Sequence, residues 1–556
     1  MPRRLRAVGF LAIVLVILQT LPAPLLGERA ELVVLISVDG CRWDYLELAS
    51  TPNLDALISS GAYAVRATTV FPSLTRVGHS SILTGARPSG HGIVGNVYYD
   101  RGARRERRWS PDDLAAVTLT EHLSSLGLKT ASVLFPMVRG ASVQVTYEEA
   151  PDYVLEELGP APRDNVTARD EWALRAALLV LDREDPDLLL LHFKSVDALG
   201  HDYGPASDQV LEAVEFVDGL IGELVSHLEE RGLLGETLIV VTADHGMTSV
   251  RDVVPVRVLL TKAGFGSYAT YDGRISQVYI SPEDDPEEVA SYLRGLDGVE
   301  LVITRDEFEE YGLPPWSEKV GDLVLVAEEG YMFSGSLSMV GQHGGMTEWD
   351  VRVPLILFGP GIPPGTAVAE ASVIDVAPTV CQALGVPPPP DAEGAPISGF
   401  GDPLPLEARD RVRLAELEAS LSPCSPEPIL DVLEAARSEL SAGNYSGALL
   451  LAEEARSLCS MSRAAWEGIQ TAEAAIEAAR AEGRTEGLSE AEEALGEAEE
   501  ACSSGDYARA TEAASEALEL AQRASKPLPI TPIALAVLAA VLAVSALAWI
   551  SRRRAG

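Results

Sequence analysis

The chain has 556 residues, 47% of them hydrophobic, enough for two or three domains with buried cores and too many apolar residues for a disordered protein. Its 83 acidic residues outnumber 43 basic ones, for a formal net charge of −40. Affinity for nucleic acid comes largely from Lys and Arg displacing counterions at phosphates, so no nucleic-acid polymer is expected as a partner.

In chain order, Arg3, Arg4 and Arg6 precede an apolar run from Ala7 to Leu18, with small and helix-breaking residues through Gly27. That is the layout of a secretory signal peptide over residues 1–27, and it predicts export. From Glu31 onward, β-branched and leucine runs alternate with amphipathic stretches: LVVLISVD, a helical pattern from Thr51 to Gly61, then PDLLLLHF, a long helix from Ser207 to Gly232, and TLIVVTADHG. Runs apolar on both faces, separated by helix-length segments, predict an α/β domain over 28–395 with a mostly parallel sheet flanked by helices. In such sheets ligands gather at the carboxyl ends of the strands.

Residues 254–332 read differently. ISQVYIS, a helix from Pro286 to Leu296, VELVIT and DLVLVAEE predict a small α+β insertion capping the main site. The core pattern returns at VRVPLILFG and ends with a helix over Asp375 to Leu384. Four successive prolines from Pro387 and the Gly- and Pro-rich run behind them favour extended chain, and a linker is expected over 396–428. Over 429–526 two stretches look alike, SAGNYSGALLLAEEA and SSGDYARATEAASEA, each with a Gly closing one helix and Asn444 or Asp506 placed to cap the next. They predict helical hairpins acting as a stalk or packing module, with protein contacts as a secondary role. Past Pro532, an uncharged run from Ile533 to Ile550 followed by Arg552, Arg553 and Arg554 predicts a transmembrane helix over 530–551 and a cytoplasmic tail over 552–556. The expectation is a single-pass plasma-membrane protein with its bulk outside. Of the 5 cysteines, Cys41 and Cys381 sit in apolar segments, while Cys424, Cys459 and Cys502 allow one bridge whose pairing the sequence leaves open. Asn165 and Asn444 begin glycosylation-type sequons.

Polar clusters fall at the strand ends: Asp39 after LVVLISV, Asp197 and His201 after LLLLHF, Asp244 and His245 after LIVV, and His343 before VPLILFG. Thr75 stands at the mouth of a helix in FPSLTRVGHSSILTG, where it reads either as a cap or as a reactive hydroxyl. Only 8 His occur, and His79, His201, His245 and His343 all lie beside Gly, Asp or Thr at these ends. Asp and His together are a ligand set for Zn²⁺ or Mn²⁺.

SVDGCRWDYL with TPNLDAL, FPSLTRVGHSSILTG with SGHGIVGNVYYD, HFKSVDALGHDYGP, TADHGMTSV and QHGGMTEWDVRVPLILFGPG, in that order over Glu31 to Pro390, resemble the alkaline phosphatase superfamily. The nearest branch is the type I phosphodiesterase/nucleotide pyrophosphatase family. The resemblance implies an alkaline-phosphatase-like fold and two divalent metal ions, Zn²⁺ first among them. Asp39, Thr75, Asp244 and His245 would surround one ion, and Asp197, His201 and His343 the other. It implies Thr75 as the nucleophile, a phosphothreonine intermediate, and a small phosphorylated substrate such as a nucleotide or another phosphodiester. The family pattern carries Asn three places after the nucleophile, where this chain has Gly78, so Asn96 or Lys194 is expected to supply the missing substrate contact. Alternatives are a phosphonoacetate hydrolase-like enzyme, a phosphomonoesterase or phosphoethanolamine transferase, and a non-catalytic surface-binding ectodomain.

Overall fold

The structure, a computed structural model, describes residues 29–526. The expected signal peptide and transmembrane helix lie outside the described residues; among those described, no helix is long and apolar enough to cross a membrane. The chain divides into two compact units, one through Leu406 and one from Glu407.

The first unit is built on a nine-stranded sheet. Leu32–Val38 lies inside it, between Thr237–Thr242 on one side and Leu188–Phe193 on the other, both parallel to it. All three strands are buried along their full length, which is why each reads as a continuous apolar run rather than an alternating one. Thr130–Val133 and Val143–Val145 extend the parallel array beyond Leu188–Phe193. On the far side, Leu355–Phe358 pairs antiparallel with both Thr237–Thr242 and Ala62–Thr68, so the sheet is mixed. Register places Ser37 beside both His192 and Thr242, so Asp39, Lys194 and Asp244 emerge close together, just past the ends of three neighbouring strands.

The insertion expected over 254–332 is a four-stranded antiparallel sheet in the order Tyr268–Ala269, Ile275–Tyr279, Leu323–Ala327, Val299–Thr304. Helices Val256–Ala263 and Pro286–Arg294 accompany it, and Val256, Leu260, Val289, Leu293 and Leu325 share its small core.

The second unit is all helical: Glu427–Ser441, Tyr445–Ala481, Leu488–Ser504 and Tyr507–Arg523, preceded by Pro403–Ser420. That first helix occupies much of the segment expected to be linker. Its prolines sit in the opening turn, where the missing N–H has no partner to lose, and Ala408, Val412, Ala415 and Ala419, repeating at helical spacing, are buried in the alanine-rich core. The capping pattern holds: Asn444 accepts from the Gly447 N–H and Asp506 from the Arg509 N–H, both at 3.2 Å, behind Gly443 and Gly505 at φ of 78° and 80°. Cys424 is bonded to Cys502, and Cys459, Cys41 and Cys381 are free and buried.

Candidate active site

Three strand ends, one helix start and the loop carrying His343 bring the predicted ligands together. Asp39 follows Leu32–Val38, and its chain turns at Gly40, whose φ of +70° and close approach to the Asp197 Cα (3.0 Å for an added Cβ) leave room for no side chain. Asp197 and His201 are one turn apart on the helix Ser195–Tyr203, which begins where Leu188–Phe193 ends. The helix is held by Asp170, whose carboxylate accepts the backbone N–H groups of Lys194 (2.9 and 3.1 Å) and Ser195 (2.8 Å). Asp244 and His245 follow Thr237–Thr242, and His343 comes from the loop after Gly341–Gln342.

In this cluster His245 Nε2 is 3.2 Å from Asp39 Oδ1, 3.2 Å from Asp244 Oδ2 and 3.2 Å from Thr75 Oγ1. Asp197 Oδ1 is 3.2 Å from His201 Nε2 and 3.6 Å from His343 Nε2. Asp197, His201 and His343 form one group with metal-ligand spacing, and Asp39, Asp197 and His245 a second, so Asp197 stands between the two. Asp39, Asp197, Asp244, His245 and His343 are all buried.

The donor set fits divalent cations. Each of the three imidazoles has its Nδ1 against a backbone carbonyl: His201 with Gly341 (2.9 Å), His245 with Gly246 (2.8 Å) and His343 with Ser73 (3.0 Å). A proton held there leaves the Nε2 lone pairs turned inward as ligands. The carboxylate oxygens they face, Asp39 Oδ1, Asp197 Oδ1 and Asp244 Oδ2, are buried and accept no hydrogen bond. Buried anionic oxygens opposite nitrogen lone pairs repel one another unless positive charge sits between them.

The titration behaviour says the same. Burial works against a charge on His245, but Asp244, Asp39 and Asp197 outweigh it and raise the ring to about 10. His343 stacks on it at 3.5 Å between centroids, and burial together with the charge on His245 pushes His343 well below its ordinary value. Burial works against ionisation of Asp39 as well, yet Lys194, His192 and His245 hold it well below the usual carboxylate range.

Thr75 is the first residue of the helix Thr75–Thr84; the N-cap is Leu74, and no side chain caps the helix. The capping reading of Thr75 is thereby replaced. Its hydroxyl faces His245, and the remaining structural duty falls on its carbonyl, which meets His79 Nδ1 at 2.8 Å. At Gly78, where the family pattern has Asn, a Cβ would lie 2.3 Å from the Asp244 carbonyl oxygen, so the position abuts the strand end that carries Asp244 and admits no side chain as the chain is folded. Asn96 lines the cavity beside Thr75, and its Oδ1 accepts the Arg76 N–H at 3.1 Å, tying it to the start of that helix. Lys194 Nζ lies 3.3 Å from Asp39 Oδ2 and 3.2 Å from Asp197 Oδ2, so it serves the ligand carboxylates as well as lining the cavity. Burial opposes its charge, but those two carboxylates raise the ammonium above its ordinary value.

The sequence reading passed over His192, and it singled out His79 without giving it a role. His192 meets Asp39 Oδ2 at 3.1 Å, and its signal was a histidine inside an otherwise apolar buried strand. His79 contacts Asp244 Oδ2 (3.2 Å) and Ser37 Oγ (3.0 Å), four residues after Thr75 and therefore on the same helix face. Both fix carboxylates that face the cluster.

A family model described as type I phosphodiesterase/nucleotide pyrophosphatase matches residues 33–350, more than half of the chain. The chain belongs to this family. Among relatives of this phosphodiesterase is ectonucleotide pyrophosphatase/phosphodiesterase family member 7 of Mus musculus, 27% identical over 405 residues that cover 68% of this chain and 89% of the relative. Its fold is shared with murine ectonucleotide pyrophosphatase/phosphodiesterase 5 in complex with AMP, at a TM-score of 0.55 and 22% identity over 65% of this chain and 96% of that one. It is shared likewise with the alkaline phosphatase PafA, at a TM-score of 0.55 and 20% identity over 66% and 98%. The type I phosphodiesterase unit is thus an alkaline-phosphatase-like α/β hydrolase, and its Asp and His groups are candidate metal ligands.

Proposed function

We propose that the chain hydrolyses phosphodiester or pyrophosphate bonds of a small substrate through a phosphothreonine on Thr75, with the catalytic unit displayed at the cell surface. The observation that carries the reading is the Thr75 hydroxyl, 3.2 Å from His245 Nε2, at the edge of a cluster whose Asp39, Asp197 and Asp244 each hold one buried carboxylate oxygen free of hydrogen bonds.

Asp39, Thr75, Asp244 and His245 would hold one cation, and Asp197, His201 and His343 the second, with Zn²⁺ favoured by the mixed imidazole and carboxylate donors. Bound there, such ions lower the pKa of a coordinated hydroxyl and offset charge on phosphoryl oxygens. The chain's own residues do the rest. Thr75 Oγ1 gives up its proton and attacks phosphorus, and its new bond forms as the bond from phosphorus to the departing oxygen breaks in line. Water then cleaves the phosphothreonine and restores the hydroxyl. Asn96 Oδ1 takes the Arg76 N–H and holds the first turn of the Thr75 helix in place, while the N–H groups left free at that helix start would receive phosphoryl oxygens. A relative that holds AMP puts nucleotides first among substrate classes.

Surface display rests on the leader pattern and the terminal apolar run, and the Cys424–Cys502 bridge fits an oxidising compartment. Labelling of intact cells by an antibody to the helical unit is the test of that part. For the chemistry, nitrophenyl phosphodiester and phosphomonoester are compared with and without chelator. Thr75→Ala is expected to lower kcat/KM on the order of 10³-fold or more while leaving the fold intact. Unchanged turnover in Thr75→Ala, or in chelated enzyme, overturns the proposal.

A further inference from the structure

Thr75 and Asp39 open onto a cavity of about 730 Å³ whose wall is basic, in a protein whose net charge is −40. Arg76, Arg108, Arg163, Arg169 and Lys194 all line it. Two of these are accounted for: Arg163 pairs with Glu148 at 3.2 Å, and Lys194 with Asp39 and Asp197. The other three have little to balance them. Arg76 and Arg108 form no ion pair among the described residues, and the only side chain to which Arg76 donates is Met137, through Nη1 at 3.4 Å from its Sδ. Arg169 is 8% exposed, and its Nη2 is buried with no hydrogen-bond partner. Its nearest carboxylate, Asp170, is 3.8 Å from Nε and already accepts the N–H groups of Lys194 and Ser195.

Cations at a surface are dispersed and hydrated; a guanidinium nine-tenths buried with a free N–H is costly unless something anionic meets it. The scissile phosphoryl group belongs at Thr75, so the Arg wall faces another part of the same substrate. We propose that Arg76, Arg108 and Arg169 bind a second anionic group of the substrate, a phosphate or a carboxylate, so that the enzyme selects doubly charged substrates over esters with neutral arms. This rests on the proposed reaction only for the location of the first group. Planar guanidiniums suit either anion, since both accept paired N–H bonds.

The test is equilibrium binding, which needs no turnover. Purified full chain with divalent cation present is titrated calorimetrically with propylphosphonate, 3-phosphonopropionate and propylene-1,3-bisphosphonate. The expected result is that one or both two-headed ligands bind about 10- to 100-fold more tightly than propylphosphonate. The stronger of the two names the second group as carboxylate or phosphate. Arg108→Gln, at an exposed position, and Arg169→Gln are each expected to reduce that preference about tenfold, and Arg108→Lys to restore part of it. Equal binding of all three ligands by the wild type, binding of none, or a preference unchanged in Arg108→Gln, overturns the proposal. Failure of the nitrophenyl esters to turn over, with the binding preference intact, would count against the reaction and leave the anion site standing.

Discussion

Gly78 shows how closely the reactive helix is set against the strand end it serves. With the Asp244 carbonyl 2.3 Å from where a Cβ would sit, Gly78→Ala is expected to cost about 1–3 kcal/mol and to lower metal affinity, read by thermal melts with and without cation. Asp272 is the residue whose ionisation the fold opposes most plainly outside the cluster: burial pushes its carboxyl up to about 7, against the Asn96 and Val97 N–H groups it accepts at 2.6 and 3.3 Å. An unfolded aspartate titrates near 3.9, so between about pH 4 and 7 the folded chain keeps a proton that the unfolded chain has released, and stability falls as pH rises through that window. Asp272→Asn, which keeps an acceptor and removes the proton, is expected to flatten that slope in urea melts at pH 5 and pH 8. The residues around Thr75 left cap and reactive hydroxyl both open, and only the resemblance put it forward as a nucleophile. Setting the cap aside needed the backbone of Leu74, and the hydroxyl's neighbour, His245, lies 170 positions away in the sequence.

Among the elements, the loop carrying His343 is the one the sequence described least. It is fixed by Arg274 of the inserted sheet, wholly buried, which pairs with Asp350, while Asp350 also accepts Thr347 Oγ1 at 2.7 Å and Thr248 Oγ1 at 3.0 Å. The Arg274 N–H donates in turn to the His343 carbonyl at 2.9 Å. The insertion therefore braces the loop that carries His343, a candidate metal ligand. Asp350→Ala leaves a buried guanidinium unpaired and is expected to cost about 3–5 kcal/mol, with loss of cation binding exceeding any change in the isolated helical signal. Strands and long helices were readable because burial on both faces or on one stripe dictates their residue pattern. The Pro403–Ser420 helix was hidden by prolines that the first turn of a helix tolerates, so composition pointed to a linker where the alanine spacing pointed to packing.

At the scale of the molecule the two units answer to different supports. Chelation is expected to lower the melting temperature of the first unit by exposing the mutual repulsion of Asp39, Asp197 and Asp244, with recovery on adding cation; no shift would mean the cluster holds none. Reduction of Cys424–Cys502, which closes a sequence separation of 78, is expected to cost the helical unit about 4 kcal/mol in the chain-entropy picture, seen as a lower urea midpoint for that transition alone. By itself the sequence determined the α/β fold class, the insertion and the helical region, because each is written locally in apolar period, caps and short motifs; the Asp and His candidates for metal binding came from motifs and a family resemblance. Only the tertiary structure decided which cysteines pair, that Gly78 marks a close approach, that His79 and His192 brace the carboxylates, and that arginines distant in the chain share one wall. Those are relations across the fold, set by which strand ends become neighbours, and no local pattern of residues records them.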